Sequence, residues 1–159
     1  MSGMKERGFT LVELVVVAAL VGILATAATA MIDVSPDRQA GIAAEALRGD
    51  LLYARALAIR TGEAVTVCFT AGSPFYQMQS GGAAVLDPRT GRPYVVDVRG
   101  TARSPSAVIA SPNFGGAAQL VFGPDGAPPA AGQVVVSVNG AGYVAAIAPV
   151  TGLVTVVRQ

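Results

Sequence analysis

Residues 5–32 read KERGFTLVELVVVAALVGILATAATAMI, an apolar run with an acid inside it. From Phe9 to Ile32 there is no Lys, Arg, Asp, Asn, Gln or Pro, and Glu13 is the only charge. At 1.5 Å per residue a helix over this stretch spans roughly 36 Å, enough for a bilayer core of about 30 Å. Lys5 and Arg7 precede it and Asp33 and Asp37 follow, so the positive-inside rule keeps the first eight residues cytoplasmic and exports the rest. Three readings fit the pattern. An ordinary signal peptide would use the A-x-A sites in ATAATA, Ala25–Ala30, but its apolar core is usually shorter than this one. A simple single-pass anchor would let Glu13 reach the headgroups. The third reading is a helix that leaves the bilayer and packs against copies of itself, because a carboxylate in hydrocarbon demands a partner.

The whole chain narrows the chemistry. Its 159 residues hold an anchor and one domain, and a net charge of +1 gives no general attraction to nucleic acid. Histidine is absent, which excludes Ser-His-Asp and Cys-His catalysis and histidine-bound zinc. Cys68 is the single cysteine, so no internal disulfide forms, and it reads as a small core residue rather than a reactive thiol. No G-x-S-x-G, phosphate loop or C-x-x-C occurs. The expectation is a protein without catalysis, cofactor or metal.

Beyond the apolar run, Pro36 marks a break or restart, and PDRQAGIAAEALRGDLLYARALAIRTG predicts a helix from Asp37 to Arg60 ending at Gly62. Ala40, Ala43, Ala44, Leu47, Leu51, Ala54 and Ala58 share one stripe of it. Arg48 and Arg55 lie mainly off that stripe, and Glu45 is spaced to pair with Arg48. After Gly62 the period changes to two. EAVTVCFT turns Val65, Val67 and Phe69 to one face, and FYQMQ followed by SGG predicts a second strand and turn. AAVLDPRTGRPYVVDV predicts a hairpin around Pro88–Gly91, and SPSAVIASPNFGG reads as loop. The last forty residues alternate strands with GPDG, NGAG and PVTG turns, as in an antiparallel meander. The fold class is α+β: a long N-terminal helix packed on a small antiparallel β-sheet domain.

The motif KERGFTLVEL resembles the prepilin-peptidase site of type IV pilins and type II secretion pseudopilins. The resemblance implies a leader of residues 1–8, cleavage between Gly8 and Phe9, N-methylation of Phe9, and Glu13 as the fifth mature residue. It makes 9–32 the transmembrane and fibre-core helix, 33–62 its exported half, and 63–159 the sheet domain. ARALAIRTG, the F-x-P-x-G of Phe122, Pro124 and Gly126, and the final TGLVTV resemble the minor pseudopilin H and FimT/FimU-like minor pilin group. Major pilins commonly carry a disulfide that this chain cannot form, which favours a minor subunit. Implied partners are the prepilin peptidase, other pilins or pseudopilins, an inner-membrane assembly platform, and lipid before assembly. The implied location is the bacterial inner membrane, with the C-terminal domain in the periplasm until the subunit joins a pseudopilus or pilus.

Other motifs carry less. GAGYVA, Gly140–Ala145, spells G-x-G-x-x-A after an apolar strand, but no acid follows and a hairpin turn is expected. Asp87, Asp97 and Asp125 are too scattered for a calcium loop. Arg89, Arg92, Arg99 and Arg103 form the one basic cluster, a DNA or subunit contact. FimT-like DNA binders place a GRxR-type motif near the C-terminus, where this chain has Gly152-Leu153-Val154-Thr155. That departure favours a subunit contact or solvated loop over DNA uptake.

Overall fold

The computed structural model describes residues 10–30 and 35–159, with side chains described for 10–23 and 35–159. The chain divides into two units, Met1–Val34 and Ser35–Gln159. The expected leader and the Gly8–Phe9 junction lie outside the described residues.

In the first unit, helix α1 spans Leu11–Ala30. Every described side chain from Thr10 to Ile23 is exposed, Leu11 by 80%. A helix apolar all round has no face to turn to water, so it is a segment made to be covered by something else. Among the described residues no helix is long and apolar enough to cross a membrane.

The second unit is built on α2, Pro36–Thr61. Ser35 caps it by accepting the Arg38 amide at 3.4 Å, and Pro36 takes the first helical position, where a missing N–H costs nothing. Gly62 ends it at φ 69°, donating its N–H to the Ala58 carbonyl at 2.9 Å. All seven positions of the expected stripe are buried, and Leu57 joins them. Glu45 and Arg48 pair at 3.2 Å.

The strands follow in order: β1 (Val65–Phe69), β2 (Phe75–Ser80), β3 (Ala83–Ala84) and β4 (Val95–Asp97), then helix α3 (Val98–Ala102). After it come β5 (Val108–Ile109), β6 (Asn113–Phe114), β7 (Gln119–Phe122), β8 (Gly132–Val138), β9 (Ala141–Ile147) and β10 (Val154–Arg158). They form two antiparallel sheets. One runs β3-β2-β1-β7 with β4 also on β2, and the other β10-β9-β8-β5 with β6 also on β8. In the first sheet Val67 is opposite both Met78 and Leu120. In the second Val134 is opposite Ala145. The inward residues of both sheets and the α2 stripe make one core, with Leu47, Leu51, Tyr76, Met78, Leu120, Phe122 and Ile147 its larger members.

The C-terminal meander holds for β8, β9 and β10 but not for β7. That strand pairs with β1, and the segment from Gly123 to Ala131 carries the chain across to the second sheet. Pro124, Pro128 and Pro129 make this connection a poor hairpin, because they remove ladder donors and fix φ. NGAG behaves as a tight turn: Asn139 and Gly140 take φ 48° and 86°, joining β8 to β9. The GAGYVA stretch is therefore a turn and a strand, as expected. Helix α3 was not expected. Asp97 caps it through the Arg99 amide at 3.0 Å, and Val98 and Ala102 are its buried pair. Cys68 is half-buried on the outer face of its sheet rather than in the core. Desolvation raises the pKa of its thiol, which disfavours the thiolate.

Leu47 is fully enclosed where α2 meets the sheets. Leu47→Ala is expected to cost about 2–5 kcal/mol, read as a lower urea midpoint for the full chain in detergent.

Candidate functional site

At the start of α1, Thr10 Oγ1 accepts the Glu13 amide at 3.2 Å and the Thr10 carbonyl accepts the Leu14 amide at 3.2 Å. Thr10 thus acts as an N-cap, and Glu13 stands in the first turn with an exposed side chain. A carboxylate there is favoured by the partial positive charge of the helix start. The cap uses the Glu13 backbone amide, while the carboxylate itself stands exposed. Gly8 and Phe9 lie outside the described residues.

The arginine region is organised by an interrupted sheet edge. β3 and β4 lie on the same side of β2, and between them the chain leaves the sheet as a hairpin. Its base is held by Tyr94 N–H to the Val85 carbonyl at 2.7 Å and Asp87 N–H to the Arg92 carbonyl at 2.8 Å. Gly91, at φ 66°, turns the tip as predicted, donating to the Asp87 carbonyl at 2.8 Å. Asp87 ties the loop from within: Oδ1 accepts the Arg89 amide at 2.9 Å and Oδ2 the Thr90 hydroxyl at 3.2 Å. That backbone donor, helped by Thr90 and the Arg89 charge, holds the Asp87 carboxyl below the usual range.

The four arginines do not act as one patch. Arg99 is fork-paired with Asp97, Nε to Oδ1 at 2.9 Å and Nη2 to Oδ2 at 2.8 Å, and lies 5.1 Å over the Phe75 ring. This pairing lowers the Asp97 pKa and raises that of Arg99. Arg103 caps α3 at φ 54°. Arg89 and Arg92 share the hairpin and line a cleft of about 480 Å³ with Asp50, Tyr94, Asp97 and Thr101. Arg89 is 87% exposed, its Nε 3.6 Å from Asp87 Oδ1.

The floor of this cleft contains a feature that sequence reasoning missed. Asp50, on α2, accepts the Tyr94 hydroxyl at 2.8 Å on Oδ1 and the Tyr76 hydroxyl on Oδ2. Tyr53 stacks on Tyr94 with ring centroids 5.6 Å apart. Desolvation, then the Asp50 charge and hydrogen bond, raises the Tyr76 pKa strongly; the same causes raise that of Tyr94. The available signal was an acid one residue before the buried Leu51, on the border of an apolar stripe.

Elsewhere the C-terminal motifs converge on α2. Arg55 donates from Nε to the Gly126 carbonyl at 3.2 Å. A Cβ on Gly152, at φ 61°, would stand 2.6 Å from that same carbonyl oxygen, so only glycine fits. ARALAIRTG, F-x-P-x-G and TGLVTV are therefore parts of one contact. Beside it, Val150 is 80% exposed at φ 66°, unusual for a β-branched residue. At the opposite end of α2, Tyr143 packs over Gly41, and Asp37 Oδ1 lies 3.0 Å from Arg158 Nε. That oxygen has no aligned hydrogen bond, so charge attraction alone makes the contact.

Comparison with known proteins covers both units. The profile described as type II transport protein GspH matches residues 43–151, and that of the prokaryotic N-terminal methylation motif matches 3–29. The type IV minor pilin FimU of Pseudomonas aeruginosa has a similar structure at a TM-score of 0.55 and 20% identity. That match covers 74% of this chain and 87% of FimU. The minor pseudopilin EpsH from the Vibrio cholerae type 2 secretion system gives a TM-score of 0.55 at 14% identity, over 76% of this chain and 97% of EpsH. At such identities the likeness is one of fold. No curated protein matches the sequence.

The tyrosine pair sets an alkaline limit. Both hydroxyls have folded-state pKa values above the unfolded value of about 10, so their contribution is complete below that pH and is lost as pH rises beyond it. The urea midpoint of the full chain is expected to stay level towards pH 9 and to fall above about pH 10. Tyr76→Phe should flatten that fall.

Proposed function

This chain belongs to the GspH family, the minor pseudopilins and minor pilins of type II secretion systems and type IV pili, and from that membership we propose how its two units work. The family is one of structural, pilin-like proteins, and its methylation motif implies processing by prepilin peptidase and assembly with other pilins. In the proposed sequence of events the chain sits in the bacterial inner membrane with residues 9–32 in lipid and the sheet domain in the periplasm. Prepilin peptidase hydrolyses the Gly8–Phe9 bond, leaving a carboxylate on Gly8 and an amine on Phe9 that is then methylated. The mature subunit moves through the inner-membrane assembly platform into a pseudopilus or pilus, near neighbouring minor subunits, and performs no catalysis itself.

The observation that carries this reading is the state of α1. Its described apolar side chains, Leu11 to Ile23, are exposed, with one carboxylate among them. Lipid covers the apolar surface but offers Glu13 no counter-charge. A neighbouring subunit covers the same surface and brings the Phe9 ammonium. Two unit charges about 4 Å apart attract by roughly 4 kcal/mol at an effective dielectric near 20, enough to fix the stagger between subunits. The partial positive charge of the helix start accounts for an acid being tolerated in the first turn; the pairing accounts for its value within an otherwise uncharged segment.

Intact mass of the filament-extracted protein is expected to give a chain starting at methylated Phe9. A start at Met31 would instead establish an ordinary signal peptide. Glu13→Leu should still be trimmed but join filaments at least about tenfold less well, scored by immunoblot of sheared filaments against membranes. Unchanged incorporation would remove the pairing.

A further inference from the structure

The sequence has two asparagines, Asn113 and Asn139, and one aspartate that precedes a glycine, Asp125. All three side chains are exposed. In each, the side-chain carbonyl carbon Cγ lies close along the chain to the backbone nitrogen of the next residue. Attack of that nitrogen on Cγ closes a succinimide ring, an intramolecular reaction controlled by how freely the two groups can meet.

The fold restrains two of the three. At Asn113, Oδ1 accepts the Gly116 amide at 3.0 Å, and the Phe114 nitrogen that would attack donates to the Ala117 carbonyl at 2.8 Å. Phe114 is also buried, which fixes its backbone further. At Asp125, Oδ1 accepts the Ala127 amide at 3.0 Å, and the Gly126 nitrogen donates to the Gly123 carbonyl at 2.8 Å. Asn139 differs on both counts. Neither its side-chain amide nor the Gly140 N–H has a hydrogen-bond partner among the described residues. A Cβ on Gly140 would find no neighbour within 4 Å, so nothing crowds the attacking nitrogen.

We propose that Asn139 is a site of spontaneous covalent modification, converted by water to aspartate and isoaspartate through the Gly140 nitrogen. The Gly140 nitrogen bonds to Asn139 Cγ, its proton passes through solvent to the departing amide nitrogen, and the Cγ–N bond breaks to release ammonia. Water then adds to one of the two ring carbonyls. Opening at the side-chain carbonyl gives aspartate, and opening at the backbone carbonyl gives isoaspartate. The net exchange is one ammonia lost for one water gained, with no oxidant or reductant. Asn139 and Gly140 lie beyond the last ladder pair of the hairpin, Val138 and Ala141, so turning the tip into the reactive geometry disturbs only the end of the ladder, where local opening costs least.

Both products replace a neutral amide with a carboxylate, taking the formal net charge from +1 to zero. Isoaspartate also routes the backbone through the side-chain carbon, lengthening a two-residue turn whose geometry sets the β8–β9 register. This inference rests on that turn alone and is independent of the pairing at Glu13.

The test holds the full chain in detergent micelles, in mildly alkaline buffer made with heavy-oxygen water, and follows it by peptide mapping with residue-level mass spectrometry. Reopening of the ring inserts one heavy oxygen at the residue that reacted, so all three positions are scored in one sample. Residue 139 is expected to gain the label at least about tenfold faster than residue 113 or 125. A more acidic form should grow in step on ion exchange. Asn139→Gln, whose longer side chain disfavours ring closure, should abolish that form, with an unchanged circular dichroism spectrum and urea midpoint showing an intact fold. The proposal is overturned if residue 139 gains label no faster than the other two, or if the acidic form grows equally in Asn139→Gln.

Discussion

The close approach allowed by an alanine-rich helix stripe is the constraint on which the exported unit depends. Ala40, Ala43, Ala44, Ala54 and Ala58 have no measurable bulk beyond Cβ, so both sheets can lie near the α2 axis. Leu47 and Leu51 then fill the space between the layers and touch a core that neither sheet could complete alone. Such packing is sensitive to volume in both directions: a larger residue in the stripe pushes a sheet away, and a smaller one at Leu47 opens a void. The polar ties stand at the margins of this contact. Arg48 reaches the Val154 carbonyl at 3.2 Å, Arg55 the Gly126 carbonyl, and Asp50 the two tyrosines. Each joins α2 to a segment distant in sequence, so the helix acts as the common reference for all of them.

Much of this architecture was legible because period and punctuation agreed. The buried stripe of α2, its end at Gly62, the alternation in β1, the turn after β2 and the hairpin at Asp87–Arg92 all follow from local rules. What the sequence hid was long-range choice. Nothing local says that β7 joins β1 rather than β8, since Leu120 and Phe122 would fill an inward face in either sheet. α3 was hidden for the opposite reason, being a single turn with Gly100 and Thr101 that weaken the pattern. The arginines read as a cluster because they are near in sequence. Separation into two cleft residues, one ion-paired residue and one helix cap depends on which acids the fold brings alongside.

The two units obey different solvation rules. The sheet domain buries an apolar core of its own, whereas the described side chains of α1 are exposed throughout. A chain of this kind is complete only in company, and the family to which it belongs is one of assembling subunits. Glu13 illustrates how one residue answers to both settings: it suits the start of an isolated helix and, in the proposed fibre, supplies a counter-charge.

The gap between β3 and β4 has a consequence of its own. A long straight border strand exposes a row of unpaired amides and carbonyls that any extended peptide can join, whatever its side chains. Here the outer side of β2 is bordered by two short pieces with a protruding loop between them. Promiscuous strand addition is blocked along that flank, and the exposed loop can change its sequence without disturbing the scaffold that carries it.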